Sequence, residues 1–542
     1  MRETAKRLLN FGRRLLLNIE QGYVSPEHTF PARDVEEAFE VSRGIRYQPK
    51  TLLGKTKLTA IELPDAVNHV VGGSPGDMKK LRPQVQQIYE QSRHGAQVIP
   101  KPAFVDAYNS ALFPQMFVSA LYALTETRRR LGSSWRPRRV LDIGTGPATG
   151  IVALNEIFQA SETWAPQQVE CVVVGDMQMA RRGLELLAYQ KQNHWPGLPD
   201  DAPGNRRFKP KILLKHLPSE YSEKFDLIIA SQQLLLQNEK GPAKSDRKVK
   251  ELLSLLEPNG VLVLIERGSP LGFDRIARAR ELILRPPGDR LTTFPEQFVE
   301  RYAQRPETTD KNFTKNGFRI VAPCSHHLHC PMQAGKKELD TRSHFCSFPQ
   351  LLLRPKWLID LKKGKRLSMA WSASGMSQKS GAILGGSGRV GQRNSELTRT
   401  SYLVVQREAD ENVLHPSVED NDGDLVDSLH WPRMIRQPLK RDNHVILELC
   451  TPNGFLERWT VNRAASSPNF HDARKAHWGD LWAFDAKTKM PVKVMITAKS
   501  APQAEQPFDE DDDDDDDDDD DYEDEKVLQR KKEAYYRKIY QV

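Results

Sequence analysis

Cysteine is scarce in this chain, with five thiols among 542 residues. They are too few and too spread out for the disulfide framework of a small secreted scaffold, and an α/β chain of this length does not need one. A reducing compartment is expected. Apolar residues are also few, at 38% with a mean hydropathy of −0.60, so part of the chain should lie outside any packed core. No apolar run approaches the ~20 residues of a membrane span. Acidic residues are scarce everywhere but one place. Of 72 in all, 16 fall in the 17 positions 509–525, which leaves 79 basic against 56 acidic residues in the remainder, a surplus of 23 behind a formal charge of +7. A basic surplus of that size points to a polyanion, with nucleic acid first in line. A merely soluble basic surface is the plainer alternative.

What is present is organised around Arg138-Arg139-Val140-Leu141-Asp142-Ile143-Gly144-Thr145-Gly146-Pro147-Ala148-Thr149-Gly150 and the apolar run that follows it. A strand ends at a carboxylate, a Gly-x-Gly turn follows, and a helix is expected to open at Pro147. Gly144 and Gly146 let the main chain approach a ligand, and Asp142 is placed to anchor polar groups. Gly146 is expected to leave room for the ligand's carboxylate end. A second strand-like run ends at Asp176, about where doubly wound folds hold ribose hydroxyls. Residues 211–215, 225–231 and 259–267 read as third, fourth and fifth strands, and 318–323 as a sixth. Strands separated by helical patterns imply a doubly wound, mainly parallel sheet.

Ahead of this sheet, residues 1–20 carry five arginines or lysines among leucines, either a targeting segment or an ordinary amphipathic helix. Helical spacing marks 34–43, 78–92 and 103–131, with Pro114 expected to kink or split the last. Residues 51–60 look like an irregular connection. After the fifth strand, 268–273 reads as a tight turn and 274–284 as a helix whose Arg275, Arg278 and Arg280 face phosphate or, more commonly, solvent. Residues 363–394 and 408–428 read as polar loops, and 400–407 as the last strand of the sheet. Residues 444–461 carry a hairpin signal with Asn453-Gly454 in its turn. Trp478-Gly479-Asp480 and a strand at 492–498 are expected to complete a small β-rich module. The acidic run should be disordered by its own repulsion, and 526–540 forms a short basic helix.

Three of the five cysteines, Cys324, Cys330 and Cys346, fall within 23 residues, interleaved with His326, His327, His329 and His344. The spacing matches no standard zinc knuckle. Three thiols leave a soft-ligand site one short, and Cys450 is the remaining unassigned thiol, because Cys171 lies in a strand-like run and reads as a core hydrophobe. Four cysteines suit an iron–sulfur centre. Zinc held by three cysteines and one of the four histidines is the alternative.

Leu141 to Pro147, Glu266-Arg267-Gly268-Ser269-Pro270-Leu271-Gly272-Phe273, Pro323-Cys324 with Cys330-Pro331-Met332, His344-Phe345-Cys346, Ser401-Tyr402-Leu403-Val404, Cys450-Thr451-Pro452-Asn453-Gly454 and Trp478-Gly479-Asp480 occur in the order seen in one family. By them the chain resembles the methyltransferase-like proteins of the mitochondrial small ribosomal subunit, in a fungal-type form. The resemblance implies a mitochondrial matrix protein that accompanies assembly of the small subunit on its rRNA, with ribosomal proteins and that rRNA as partners. It also implies a class I S-adenosylmethionine (SAM) methyltransferase-like fold and a [4Fe–4S] site on Cys324, Cys330, Cys346 and Cys450.

The expected architecture is α/β. Residues 1–102 form an N-terminal helical region. Residues 103–408 form the methyltransferase-like domain, with a cysteine-bearing insertion at 323–360 and a flexible loop at 361–397. Residues 409–500 form a β-rich module, and 501–542 the acidic tail. SAM is expected on Asp142, Gly144, Gly146, Gly150 and Asp176. Ser231-Gln232-Gln233-Leu234 replaces the Asn/Asp-Pro-Pro-aromatic segment with which amino-group methylases take a flipped base. No Cys-Pro pair stands there either, so no catalytic residue is assigned. Methyl transfer can run on proximity alone. An assembly factor that binds rRNA is therefore favoured over an active rRNA methyltransferase, and the charge argues against a small-molecule enzyme.

Overall fold

A computed structural model of the chain describes residues 48–491 apart from 56–60, 74–77, 93–98, 133, 145, 159–167, 174–176, 195–210, 215–223, 236–241, 286–316, 334–344, 363–394 and 409–427. The expectations for 1–20, 34–43, both polar loops, 492–498 and the acidic tail lie outside the described residues, as do Asp176 and His344.

Eight strands form the main sheet: β1 (Arg139–Gly144), β2 (Gln168–Val173), β3 (Lys211–Leu214), β4 (Phe225–Ser231), β5 (Leu256–Arg267), β6 (Phe318–Ala322), β7 (Phe348–Leu353) and β8 (Ser395–Arg407). Their order is β3-β2-β1-β4-β5-β8-β6, with β7 also paired to β8. The first five are parallel. β8 runs antiparallel between β5 and β6. The strand order reverses between β1 and β4, the place where such sheets open a ligand crevice.

Both faces of the sheet are covered, and the period of two in its strands shows why. On β4, Leu227 and Ile229 join one core with Phe113, Phe117 and Leu124 of α4 (Val105–Leu131) and Ile151 and Leu154 of α5 (Thr149–Ile157). Ile228 and Ala230 join the other with Val249 and Leu252 of α7 (Pro242–Ser254) and Ile276 and Ile283 of α8 (Pro270–Leu284). A strand buried on both faces reads as an unbroken apolar run.

Several expectations are corrected. α4 continues past Pro114 as one helix and is not split there. The missing N–H costs about 3 kcal/mol in an exposed helix, but burial of Phe113, Met116 and Phe117 around it holds the helix together. The connection at 51–60 begins in a helix, α1 (Pro49–Gly54), and α2 (Asp65–Gly73) follows, its apolar side buried through Ala66, Val67, Val70 and Val71. α3 (Met78–Ser92) is as expected, and α6 (Met177–His194) follows β2. The turn at 268–273 is instead the start of α8, where Ser269 Oγ caps the helix by accepting from Gly272 N. β7 was not foreseen. It lies end to end with β6 along the same side of β8, so the cysteine segment leaves the sheet and returns to it at one edge.

The C-terminal module is a second sheet, β10 (Leu439–Lys440), β11 (His444–Cys450), β12 (Leu456–Asn462) and β13 (Thr488–Pro491) in that order, with β9 (Arg433–Met434) against β11. Val445, Leu447 and Leu449 alternate inward against Trp459, Val461 and Phe470 of α10 (Ser467–Lys475). The hairpin turn is as the sequence indicates: Gly454 takes φ +75° and its N–H donates to Thr451 O at 2.9 Å.

Candidate functional site

Two sites emerge, one at the carboxyl end of β1 and one between the main sheet and the β-rich module. At the first, Asp142 is buried and its Oδ2 accepts from Gly150 N at 2.9 Å and Ile151 N at 3.1 Å. It anchors polar groups, but they are the first turn of α5 in its own chain. Burial pushes its carboxyl up to about 7, against the downward pull of those two N–H groups. Gly150 is glycine because of this contact, since a Cβ there would lie 2.4 Å from Asp142 Oδ1. A Cβ on Gly146 would meet Thr149 Oγ1 at 2.4 Å and Met116 Cε at 2.9 Å, so this glycine admits the close approach of α4 and the turn. Gly144 differs. Among the described residues its Cβ would find nothing nearer than Gly146 N at 3.8 Å, beside Ser231. The helix begins at Thr149, two residues later than Pro147, after Ala148 in the left-handed region at φ 56°.

Beyond β4, the Ser231-Gln232-Gln233-Leu234 segment is fixed by protein groups. Leu234 N donates to Glu266 Oε1 at 2.7 Å, Ser245 Oγ donates to Leu234 O at 2.8 Å, and Gln232 N donates to Ile265 O at 2.7 Å with Gln232 at φ +55°. Burial pushes the Glu266 carboxyl up to about 7. A polar cavity of about 170 Å³ lies alongside, lined among others by Met116, Gln232, Arg267, Ser269, Thr398 and Arg399.

At the second site the structure brings Cys324, Cys330, Cys346 and Cys450 to one apolar cavity of about 40 Å³, walled by Phe273, Ala277, Met332 and Ile435. Cys324 follows β6 by two residues, Cys346 precedes β7 by two, and Cys450 ends β11. Collinear strands thus deliver two thiols, and the hairpin of the module delivers a third. All four are free thiols. Burial and the neighbouring Cys324 push the Cys330 thiol up to about 12, and burial lifts Cys346 and Cys450 well above the usual thiol range. Cys171 is buried in β2, away from this group. Among the described residues, no three His, Cys, Asp or Glu side chains meet as the ligands of one ion.

Of the histidines, His326 is buried with Nε2 at 3.4 Å from Cys450 Sγ. His327 Nε2 accepts from Ile320 N at 2.9 Å, and His329 Nδ1 lies 2.9 Å from Glu281. Sequence reasoning missed two arginines. Arg433 Nη2 donates to Glu126 Oε1 at 2.7 Å, Nη1 to Gly479 O at 2.8 Å and Nε to Pro323 O at 2.5 Å, tying α4, the cysteine segment and the module together. Arg280, expected at the surface, is 2% exposed and lines the thiol cavity. The signal was available: Arg280 falls three to four residues from Ile276, Ala277, Ile283 and Leu284, inside the apolar stripe of its helix.

The strand order with its single antiparallel strand, and the glycine turn at the end of β1, define a class I methyltransferase-like protein. Solved structures such as the ribosomal protein L11 methylase from Lactobacillus delbrueckii subsp. bulgaricus (16% identity, 36% of this chain and 68% of that one, TM-score 0.20) and the O-methyltransferase from Bacillus cereus (14%, 41% and 86%, TM-score 0.20) resemble parts of it. The profile of the family described as Mitochondrial small ribosomal subunit Rsm22 matches residues 102–293 and 386–483. The chain is 32% identical over 505 residues to the mitochondrial ribosome assembly protein RSM22 of Saccharomyces cerevisiae, covering 83% of this chain and 79% of that protein. It is 22% identical over 377 residues to the human mitochondrial ribosome assembly protein METTL17, covering 69% and 61%. The chain belongs to the Rsm22 family and is a mitochondrial protein.

Proposed function

We propose that the chain is a mitochondrial-matrix assembly factor of the small ribosomal subunit that binds rRNA, seats SAM at the end of β1 and holds a [4Fe–4S] cluster on Cys324, Cys330, Cys346 and Cys450. Family membership supports the assembly role, as the relatives are named for ribosome assembly. What carries the cluster is the meeting of Cys450 with three thiols more than a hundred residues earlier. Four free thiols in an apolar cavity fit the donor set of such a centre. His327 and His329 being engaged with Ile320 and Glu281 weighs against either as a zinc ligand, whereas His326, 3.4 Å from Cys450 Sγ, is the histidine that a zinc site would use. The cluster would join the β-rich module to the main sheet. Cys450→Ser should abolish the brown absorbance of anaerobically purified protein and loosen the module to protease. A colourless wild type containing one zinc, retained in Cys450→Ser, would sink the assignment.

For SAM, Gly144, Gly146 and Asp176 would meet the ligand, with Asp142 and Gly150 shaping the turn beneath them. Bound SAM supplies a transferable methyl group. The polar cavity beyond β4 favours a second reading as an active rRNA methyltransferase. Crosslinking the protein to RNA in mitochondria and sequencing the RNA separates the two. Small-subunit rRNA should be recovered, and a methyl mark at the crosslinked position that vanishes in a Gly144→Ala strain would establish catalysis.

A further inference from the structure

Arg280 makes three donations from its terminal nitrogens, Nη1 to Glu281 Oε1 at 2.7 Å and Nη2 to Leu328 O at 2.6 Å and His326 O at 2.9 Å. These fix the guanidinium against the cysteine segment. They leave Nε: its N–H is buried and has no hydrogen-bond partner. A buried N–H of a charged group that bonds nothing carries its full desolvation cost with no return. Such groups are rare unless something completes them. Arg280 lines the thiol cavity together with Cys324, Cys330, Cys346 and Cys450. Its formal counter-ion is shared as well, because Glu281 also accepts from Arg285 at 2.5 Å. The cavity that holds the four sulfurs is therefore lined by a fixed cation with one unused donor.

An apolar or cationic occupant would leave that donor orphaned, and a neutral acceptor would satisfy the donor without adding to the shared charge of Glu281. An anionic occupant with sulfur acceptors satisfies both. A [4Fe–4S] core on four thiolates is such an anion, and its potential responds to net charge and to hydrogen bonds on its sulfurs. We propose that Arg280 is a positioning residue for the cluster: its Nε–H donates to a sulfur of the bound centre, and its fixed charge raises the centre's reduction potential and slows its loss. This rests on the cluster assignment above. It goes further in naming a residue, on a helix of the methyltransferase-like sheet, that makes the occupant's electronic properties depend on α8.

The test uses full-length, anaerobically purified protein with its native iron, comparing wild type, Arg280→Lys and Arg280→Met. In Arg280→Met the loss of a charged hydrogen bond should make the reduced form about tenfold less populated at fixed potential, equal to about 59 mV for a one-electron couple. Iron should also be lost faster to a chelator. Arg280→Lys keeps the charge without the planar fork. It should hold most of the potential but lose the exchangeable-deuteron coupling that pulsed EPR reads on the reduced wild type. A purely structural arginine predicts a different pattern, with both variants melting earlier and any cluster that remains keeping the wild-type potential and coupling. That pattern overturns the proposal, and so does an unchanged Arg280→Met. If Arg280→Met fails to fold, Arg280→Lys with an unaltered deuteron signal overturns it alone. A wild type without iron removes the cluster itself and this inference with it.

Discussion

At the scale of single residues, the glycines of the β1 turn divide by what stands opposite their missing Cβ. Gly150 faces a buried carboxylate at 2.4 Å and Gly146 faces Thr149 and Met116, whereas among the described residues Gly144 has no neighbour closer than 3.8 Å. Gly150→Ala and Gly146→Ala should therefore overpack the fold and lower its stability by about 1–3 kcal/mol, read by chemical unfolding. Gly144→Ala should leave the unfolding midpoint in place and weaken SAM binding in calorimetry by tenfold or more. Equal losses of stability in all three variants would show that Gly144 is structural too. Asp142 gives a pH test. Its folded carboxyl is raised to about 7 by burial, so folding favours its protonated form. The stability this contributes is fully present below the ordinary carboxylate range and is lost as pH rises toward about 7. Asp142→Asn, which keeps an oxygen for Gly150 N and Ile151 N, should flatten the fall in stability between about pH 4 and pH 7. An unchanged pH profile would mean that the carboxylate finds a partner on folding.

At the scale of elements, the module is held to the sheet by a buried ionic cluster. Arg433 and Glu126 are 3% and 2% exposed and 2.7 Å apart, with Arg130 3.4 Å from the same carboxylate. Removing one partner strands the other charges in a dry interior. Arg433→Met should cost about 3–5 kcal/mol and expose residues 428–491 to protease before the main sheet, while Glu126→Gln together with Arg433→Met should recover part of the loss. A single unfolding transition with no early cleavage would show that the module does not depend on this contact. The elements also show what the sequence made legible. β1, β4, β5 and the 444–461 hairpin carry their period and turn residues on the surface of the sequence, and all appear where expected. β7, Phe-Pro-Gln-Leu-Leu-Leu, was hidden because Pro349 argues against a strand. It is tolerated because, among the described residues, β7 forms a ladder with β8 alone and its other edge carries just the isolated bridge of Leu352 to Ile61, away from Pro349. Arg280 was misplaced for a different reason: a charge on a helix is assigned to solvent by type, and only its position in the apolar stripe says otherwise. The four thiols were grouped by donor chemistry and by the family resemblance, and no periodicity in the sequence says that Cys324, Cys346 and Cys450, beside β6, β7 and β11, line one cavity.

At the scale of the whole molecule, charge is the property that no single element carries. Outside 509–525 the chain bears 79 basic against 56 acidic residues, and internal ion pairs such as Arg182 with Asp106 at 2.9 Å and Arg278 with Asp246 at 2.7 Å use one charge of each sign, so they leave the surplus of 23 intact. What remains is available to phosphate. Binding of small-subunit rRNA should then weaken steeply with salt, since each neutralised phosphate releases a counterion and the logarithm of affinity falls linearly with the logarithm of salt concentration. The 16 acids at 509–525 present the same sign of charge as the RNA on the same chain. An intramolecular polyanion competes at an effective concentration set by its tether, on the order of millimolar for a short flexible one. Deleting 509–525 should therefore tighten nonspecific RNA binding and steepen its salt slope, because more phosphates can occupy the basic surface at once. The measurement is a fluorescence titration of one labelled rRNA fragment at several salt concentrations, with the full chain and the deletion side by side. If the affinity of both proteins is flat in salt, the basic surplus is a solubility feature. If both fall with the same slope and the same affinity, the surface binds RNA but the acidic run does not compete for it.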